Sequence, residues 1–192
     1  MKQAVCLQKN ITLKFIKYLI LVLTMLLLIR VNTIDTHAQT PTSQIGTSGV
    51  YWEIDEAGTL KLTGSGTCPG FDYSTLPWCS VMGTITGFTV EPTVAVPNME
   101  HFFEGANGLV NAPVIPNGVV TMAYTFAGCE NLQTPPVIPS GVVSINNAFL
   151  GCHSLKTAPI VPDTVQDMSC AFYECWGMYS DGPINIPYGC TD

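Results

Sequence analysis

Cys129, Cys152 and Cys175 stand 23 residues apart, and a thiol can serve as a nucleophile, a metal ligand or half of a disulfide. A metal site needs ligands at short spacings, and neither C-x-x-C nor H-x-x-x-H occurs. Of eight cysteines, Cys6 lies in the N-terminal segment, which leaves an odd seven and so at least one thiol free or intermolecular if the rest pair. Cys68 and Cys79 flank one Gly/Pro loop and could bridge it, and Cys170 and Cys190 could also pair. The 129/152/175 series reads either as bridging neighbours on adjacent turns of an array or as a buried column of small apolar side chains. The second reading is the preferred one, since cysteine is among the most buried residue types.

The other reactive side chains carry less. His37, His101 and His153 fall outside any Ser-His-Asp or Cys-His motif. Cys152 and His153 are adjacent, but neighbours in a strand or turn point apart. The carboxylates are scattered singly, with no EF-hand and no glycine-rich phosphate loop. No catalytic, cofactor-binding or metal-ligating residue is assigned, and the chain is not expected to be an enzyme.

What positions these residues is a pattern written four times between residues 96 and 178, in steps of 23. Phe103, Phe126, Phe149 and Phe172 share one register. Met99, Met122, Ile145 and Met168 share a second, and Leu109, Leu132, Leu155 and Met178 a third. Pro113, Pro136 and Pro159 form a fourth column, and Pro116, Pro139 and Pro162 a fifth. A fixed period in the range of roughly 20–50 residues marks a stacked repeat array. In each unit the β-branched run, such as residues 119–122, suits a short strand. A turn then drops the phenylalanine into the core, and an extended proline segment returns the chain. Proline cannot donate to a ladder, so pairing is expected mainly on the Val-Val-x-Met side.

Charge excludes some partners. From Gln39 onward two lysines stand against thirteen carboxylates, a net of −11, whereas nucleic acid and anionic membranes call for a basic surface. The bland reading of the acids is solubility. Residues 1–17 carry four lysines and lead into "YLILVLTMLLLI", 12 apolar residues at 18–29. That length suits a signal-peptide core and falls short of the ~20 residues that span a bilayer. Thr36-His37-Ala38 then predicts cleavage before Gln39, with an uncleaved anchor as the competing reading. Residues 39–49 read as a flexible polar leader.

Residues 50–95 read as an N-terminal β cap. "VYWEI" and "TLKLT" alternate about Asp55-Glu56-Ala57-Gly58, a hairpin with a four-residue loop. Phe71 and Trp78 anchor the following Gly/Pro loop, and residues 84–90 form a third strand. Residues 96–192 are the array, about four repeats, the last irregular because Pro183 falls 24 residues after Pro159.

"FAGCENL" and "FLGCHSL", each followed by an "APxIP"-type segment, resemble the BspA-like leucine-rich repeats of bacterial surface proteins. The "YWEIDEAGTLKLTGSG…LPW" segment is similar to the one that precedes such repeats in that family. Ala106 in place of cysteine, Glu174 in place of glycine and Met178 in place of leucine depart from the pattern. The resemblance implies a mostly β and irregular solenoid of 23-residue leucine-rich-type repeats behind a hairpin cap, secreted or displayed at the cell surface. It implies adhesion to a host matrix or cell-surface protein and no cofactor. The alternative is a structural spacer, or a truncated fragment of a larger envelope protein without its own ligand. The implied partner is a protein, extracellular or a second copy, with membrane contact only through the signal segment. The candidate binding surface is Tyr124, Tyr173, Trp176 and Tyr179. Edman sequencing of exported protein should begin at Gln39; a start at Met1 would contradict cleavage.

Overall fold

The computed structural model describes residues 43–180, with side chains to 178; the expected signal peptide at 1–38 and the last residues of the array lie outside that range. The described part is mostly short strands and irregular structure with a few 3-10 turns. Among the described residues no helix is long and apolar enough to cross a membrane.

The cap is built on alternation. β2 (Val50–Ile54) and β3 (Thr59–Gly64) pair antiparallel, with Ile54 opposite Leu60. Asp55 holds the loop between them: its carboxylate accepts from the Ala57 and Thr59 amides at 3.0 and 2.9 Å, and Lys61 lies 3.1 Å away. The Thr59 amide, then Lys61, keeps the Asp55 carboxyl below its ordinary value. Gly58 closes the turn at φ 82°, where a Cβ would strike the Thr84 carbonyl. The alternation buries Val50, Leu60 and Leu62 on one face.

Two boundaries differ from the sequence reading. Residues 43–49 join the cap instead of extending a flexible leader: β1 (Ser43–Gln44) pairs with β2, and Ile45 is buried. One apolar residue in a polar run was too weak a signal to reveal this. The third strand is shorter than 84–90, because Cys79–Thr84 coil into a 3-10 turn before β5 (Gly87–Val90) begins.

The handedness of pairing changes at β3. β1 and β2 run antiparallel, but β3 pairs with β5 in parallel, and β4 (Gly66–Thr67) pairs in parallel with β6 (Val94–Ala95). Everything downstream then stacks in parallel. Asn98, Thr121, Ser144 and Asp167 bridge one to the next, and Asn111 bridges Thr134. The antiparallel hairpin therefore stands at the first turn of the stack, and the hairpin side of the four-stranded sheet ends in the two-residue β1.

The continuous strand expected at residues 119–122 is a single bridge at Thr121. The cause is local. Asn98, Thr121, Ser144 and Asp167 each turn a side-chain oxygen back to accept the amide two residues on, from Glu100, Ala123, Asn146 and Ser169. Such a bond ends an extended segment as soon as it starts. The prolines upstream remove donors on the other side.

Pairing continues through the turns instead. The amides of residues 99, 101, 103 and 105 donate to the carbonyls of 121, 123, 125 and 127. Those of 122, 124, 126 and 128 donate to 144, 146, 148 and 150, and those of 145, 147, 149 and 151 to 167, 169, 171 and 173. The amides between them mostly turn back three residues within their own unit, as Phe102 does to Met99 and Ala106 to Phe103. Sending successive amides in different directions requires left-handed residues. His101, Tyr124, Asn147 and Cys170 take φ between 51 and 60°, and Gly105, Gly128 and Gly151 take 69–76°. Glu174 occupies the glycine position at φ 60°.

The stack encloses one apolar core. Phe103, Phe126 and Phe149 are fully buried and stack with Phe172 at centroid distances of 5.4–5.5 Å. Met99, Met122, Ile145, Leu109, Leu132 and Leu155 are buried with them, while Met168 and Phe172 are half-buried. At the cap, the column that reads Thr125, Ala148 and Ala171 further on begins with Phe102. This larger ring fills the space against Trp78 (5.0 Å) and Phe88 (6.1 Å). The Trp78 indole N–H donates to the Phe102 carbonyl at 2.9 Å, so the cap grips the first repeat by packing and by a buried bond. Phe149→Ala should cost about 3–5 kcal/mol in a denaturant melt, and Phe172→Ala less, since that ring is only half-buried.

Candidate interaction surface

The column positions decide which side chains meet. His101 and Tyr124 are one step apart, and their rings stack at 5.0 Å and 21°. Tyr73, from a 3-10 turn of the cap, meets the edge of His101 at 6.4 Å. The imidazole Nδ1 contacts the Glu104 carboxylate, and Nε2 lies 3.8 Å from Glu100. His153 and Trp176 are likewise one step apart and stack at 4.4 Å and 5°. Tyr173 stands 60% exposed on the last described turn, as does Trp176.

The four aromatic residues assigned to a binding surface therefore do not behave alike. Tyr124 is half-buried and engaged by His101, whereas Tyr173 and Trp176 are open to solvent. No ring contact among the described residues joins Tyr124 to either of them. Tyr179 falls in the 3-10 turn Trp176–Ser180, and its side chain lies outside the described residues. Sequence reasoning missed Tyr73, His101 and His153 as parts of this surface. The two histidines share no column with each other, but each has an aromatic residue 23 positions on, and that offset was the available signal.

Cys129, Cys152 and Cys175 are buried and reduced. Their S–H groups donate to the carbonyls of Phe103, Phe126 and Phe149 at 3.0, 3.1 and 3.0 Å, so each thiol ties its own turn to the preceding one. Burial pushes the Cys129 and Cys175 thiols up to about 12, and raises Cys152 further. The bridge considered for Cys68 and Cys79 is absent: both are free. Cys68 is buried with its amide bonded to the Ala95 carbonyl, and its thiol too is pushed up to about 12 by burial. Cys79 sits half-buried at the start of a separate 3-10 turn.

Chemically the surface offers aromatic faces and carboxylates. Among the described residues neither imidazole bonds a serine, threonine or cysteine side chain, and no group of three or more His, Cys, Asp or Glu could hold a metal ion. Two solved structures are similar to the chain. One is a leucine-rich repeat protein from Eubacterium ventriosum, 16% identical with a TM-score of 0.44, the match covering 65% of this chain and 38% of that one. The other is a leucine-rich repeat protein from Bacteroides ovatus, 20% identical with a TM-score of 0.41, covering 66% and 37%. The chain thus matches less than two fifths of the length of either. No family model and no curated protein matches it.

The thiols give a pH-dependent test. Folded thiols keep their protons to about 12, whereas unfolded ones release them near the ordinary thiol value of 9.0. Their contribution to stability is therefore full below pH 9 and fades as pH rises from there toward 12. In the native protein at neutral pH, an alkylating reagent should label exposed Cys170 and leave Cys129, Cys152 and Cys175 unmodified. Equal labelling of all four would contradict this packing.

Proposed function

We propose that the chain is a short solenoid of 23-residue leucine-rich-type units, exported by its N-terminal segment, that works as a non-enzymatic protein-binding module of BspA-like character. Its task is adhesion to an extracellular matrix or cell-surface protein. The observation that supports this best is the pair Tyr173 and Trp176. Each is 60% exposed, and Trp176 is held by its stack on His153, so its ring is fixed in place yet uncovered. A rigid, exposed aromatic is the residue type that anchors protein interfaces. The charge of the last three turns is mostly acidic: Glu130, Asp163, Asp167 and Glu174 stand against Lys156. A partner with basic groups at its rim would be favoured electrostatically.

The test is capture from extracellular-matrix and cell-surface fractions by the exported form, residues 39–192. A defined protein should be retained, and retention should drop at least tenfold when Tyr173 and Trp176 are both changed to Ala, about 1.4 kcal/mol or more of binding. Retention unchanged by the double substitution would remove this surface, and no retained protein would favour the spacer.

A further inference from the structure

Two asparagines of the chain are followed directly by glycine, Asn107 and Asn117. The backbone nitrogen after an asparagine can attack the carbon of the side-chain amide. Glycine has no β-carbon to shield that nitrogen and bends readily toward the geometry of attack. Both asparagines are exposed, so exposure does not separate them. The bonds around them do.

The first pair is tied down. The Asn107 side-chain oxygen accepts the Glu130 amide at 3.0 Å, and its main-chain carbonyl accepts the Asn131 side-chain amide at 3.0 Å. The Asn107 amide donates to the Gly105 carbonyl at 2.8 Å. Gly108 lies against the cap, where a Cβ would meet the Ile85 carbonyl at 2.5 Å. Attack there would require the next repeat and the cap to let go together.

The second pair is loose. Asn117 and Gly118 form the exposed turn that follows Pro116. Gly118 takes φ 89°, and a Cβ built on it would have nothing within 4 Å. Among the described residues neither the Asn117 side chain nor the Gly118 amide has a hydrogen-bond partner. The matching corners of the next two units are Ser140-Gly141 and Asp163-Thr164, so this corner alone carries an asparagine.

We propose that Asn117 is a site of spontaneous deamidation in the folded protein, and that Asn107 is protected from it. The Gly118 nitrogen forms a bond to Cγ of Asn117 while the bond from Cγ to Nδ2 breaks. Ammonia leaves, carrying the proton of the Gly118 amide, and a cyclic succinimide remains. Water then opens the ring. Breaking the new bond to Cγ gives aspartate. Breaking the bond to the main-chain carbonyl carbon gives isoaspartate, with the chain running through the side chain. Water is the sole co-reactant. Either product puts a carboxylate into residues 110–118, which hold no charge beforehand. Isoaspartate also lengthens the main chain just before Val119, which is fully buried, and Val120, whose amide donates to the Pro97 carbonyl at 2.8 Å. The isoaspartate form therefore loosens the join between the first two units, and the aspartate form keeps it.

The chemistry involves neither Tyr173 nor Trp176, so it stands or falls apart from any partner they hold. The test is incubation of the folded full chain in mild alkali, with digestion and fragmentation mass spectrometry to place each amide-to-acid mass change. Residue 117 should convert roughly tenfold faster than residue 107 and split into aspartate and isoaspartate forms that separate on chromatography. In denaturant the two sites should convert at similar rates, because each is then an unrestrained Asn-Gly pair. Gly118→Ala should slow conversion at 117 by roughly tenfold and leave 107 as it was. Equal rates at the two sites in the folded chain, a difference that persists in denaturant, or conversion at 117 indifferent to Gly118→Ala would each overturn the proposal. Asn117→Asp should melt as the unmodified protein does, and the isolated isoaspartate form lower. An isoaspartate form that melts with Asn117→Asp would overturn its effect on the join.

Discussion

The structure depends on one constraint: the amides of each turn find their acceptors on the turn that follows. Four alternate amides per repeat reach the carbonyls 22 residues on, and most of the intervening ones close bonds within their own turn. A buried amide left without an acceptor is expensive, and one turn alone would leave these amides unpaired. The phenylalanine column makes the same demand in apolar terms, because Phe126 and Phe149 are stacked on the rings of the turns before and after them. Backbone and core thus require the same spacing, and the consistency between them is what selects one structure.

Several smaller features follow from that requirement. Left-handed residues are needed to aim alternate amides outward, which accounts for the glycine column and for the unusual φ of Tyr124 and Cys170. The side-chain turns at Asn98, Thr121, Ser144 and Asp167 restart the pattern at the same point in every unit. Phe102 and Trp78 close the near end, where the stack meets a hairpin of opposite pairing sense. The surface side chains inherit the same order. His101 lies under Tyr124 and His153 under Trp176 because each pair is one step apart.

Much of this was legible because repetition amplifies weak signals. One phenylalanine says little, but four at equal steps of 23 name a core column, and the leucines and methionines at their own offsets name its neighbours. The hairpin was readable from strict alternation around Asp55 and Gly58. What escaped had no such amplification. β1 rests on a single buried Ile45 in a polar stretch. The strand expected at residues 119–122 was read from β-branched content, while the polar residue at 121, which ends it, belongs to a column of four different residue types. Chemical identity varies there and only hydrogen-bonding capacity is shared, so a search for repeated letters passes over it. The free Cys68 and Cys79 show a related gap: flanking a loop in sequence says nothing about which way each thiol faces.

The most direct measurement of the central claim is residue-resolved amide hydrogen exchange. The amides of Met122, Tyr124, Phe126, Gly128, Ile145, Asn147, Phe149 and Gly151 should exchange slowly and with a common opening free energy, as one cooperative unit. Those of Val114, Val137 and Ile160, on the exposed proline side, should exchange far faster. Fast or unequal exchange across the first group would contradict an array held together from turn to turn.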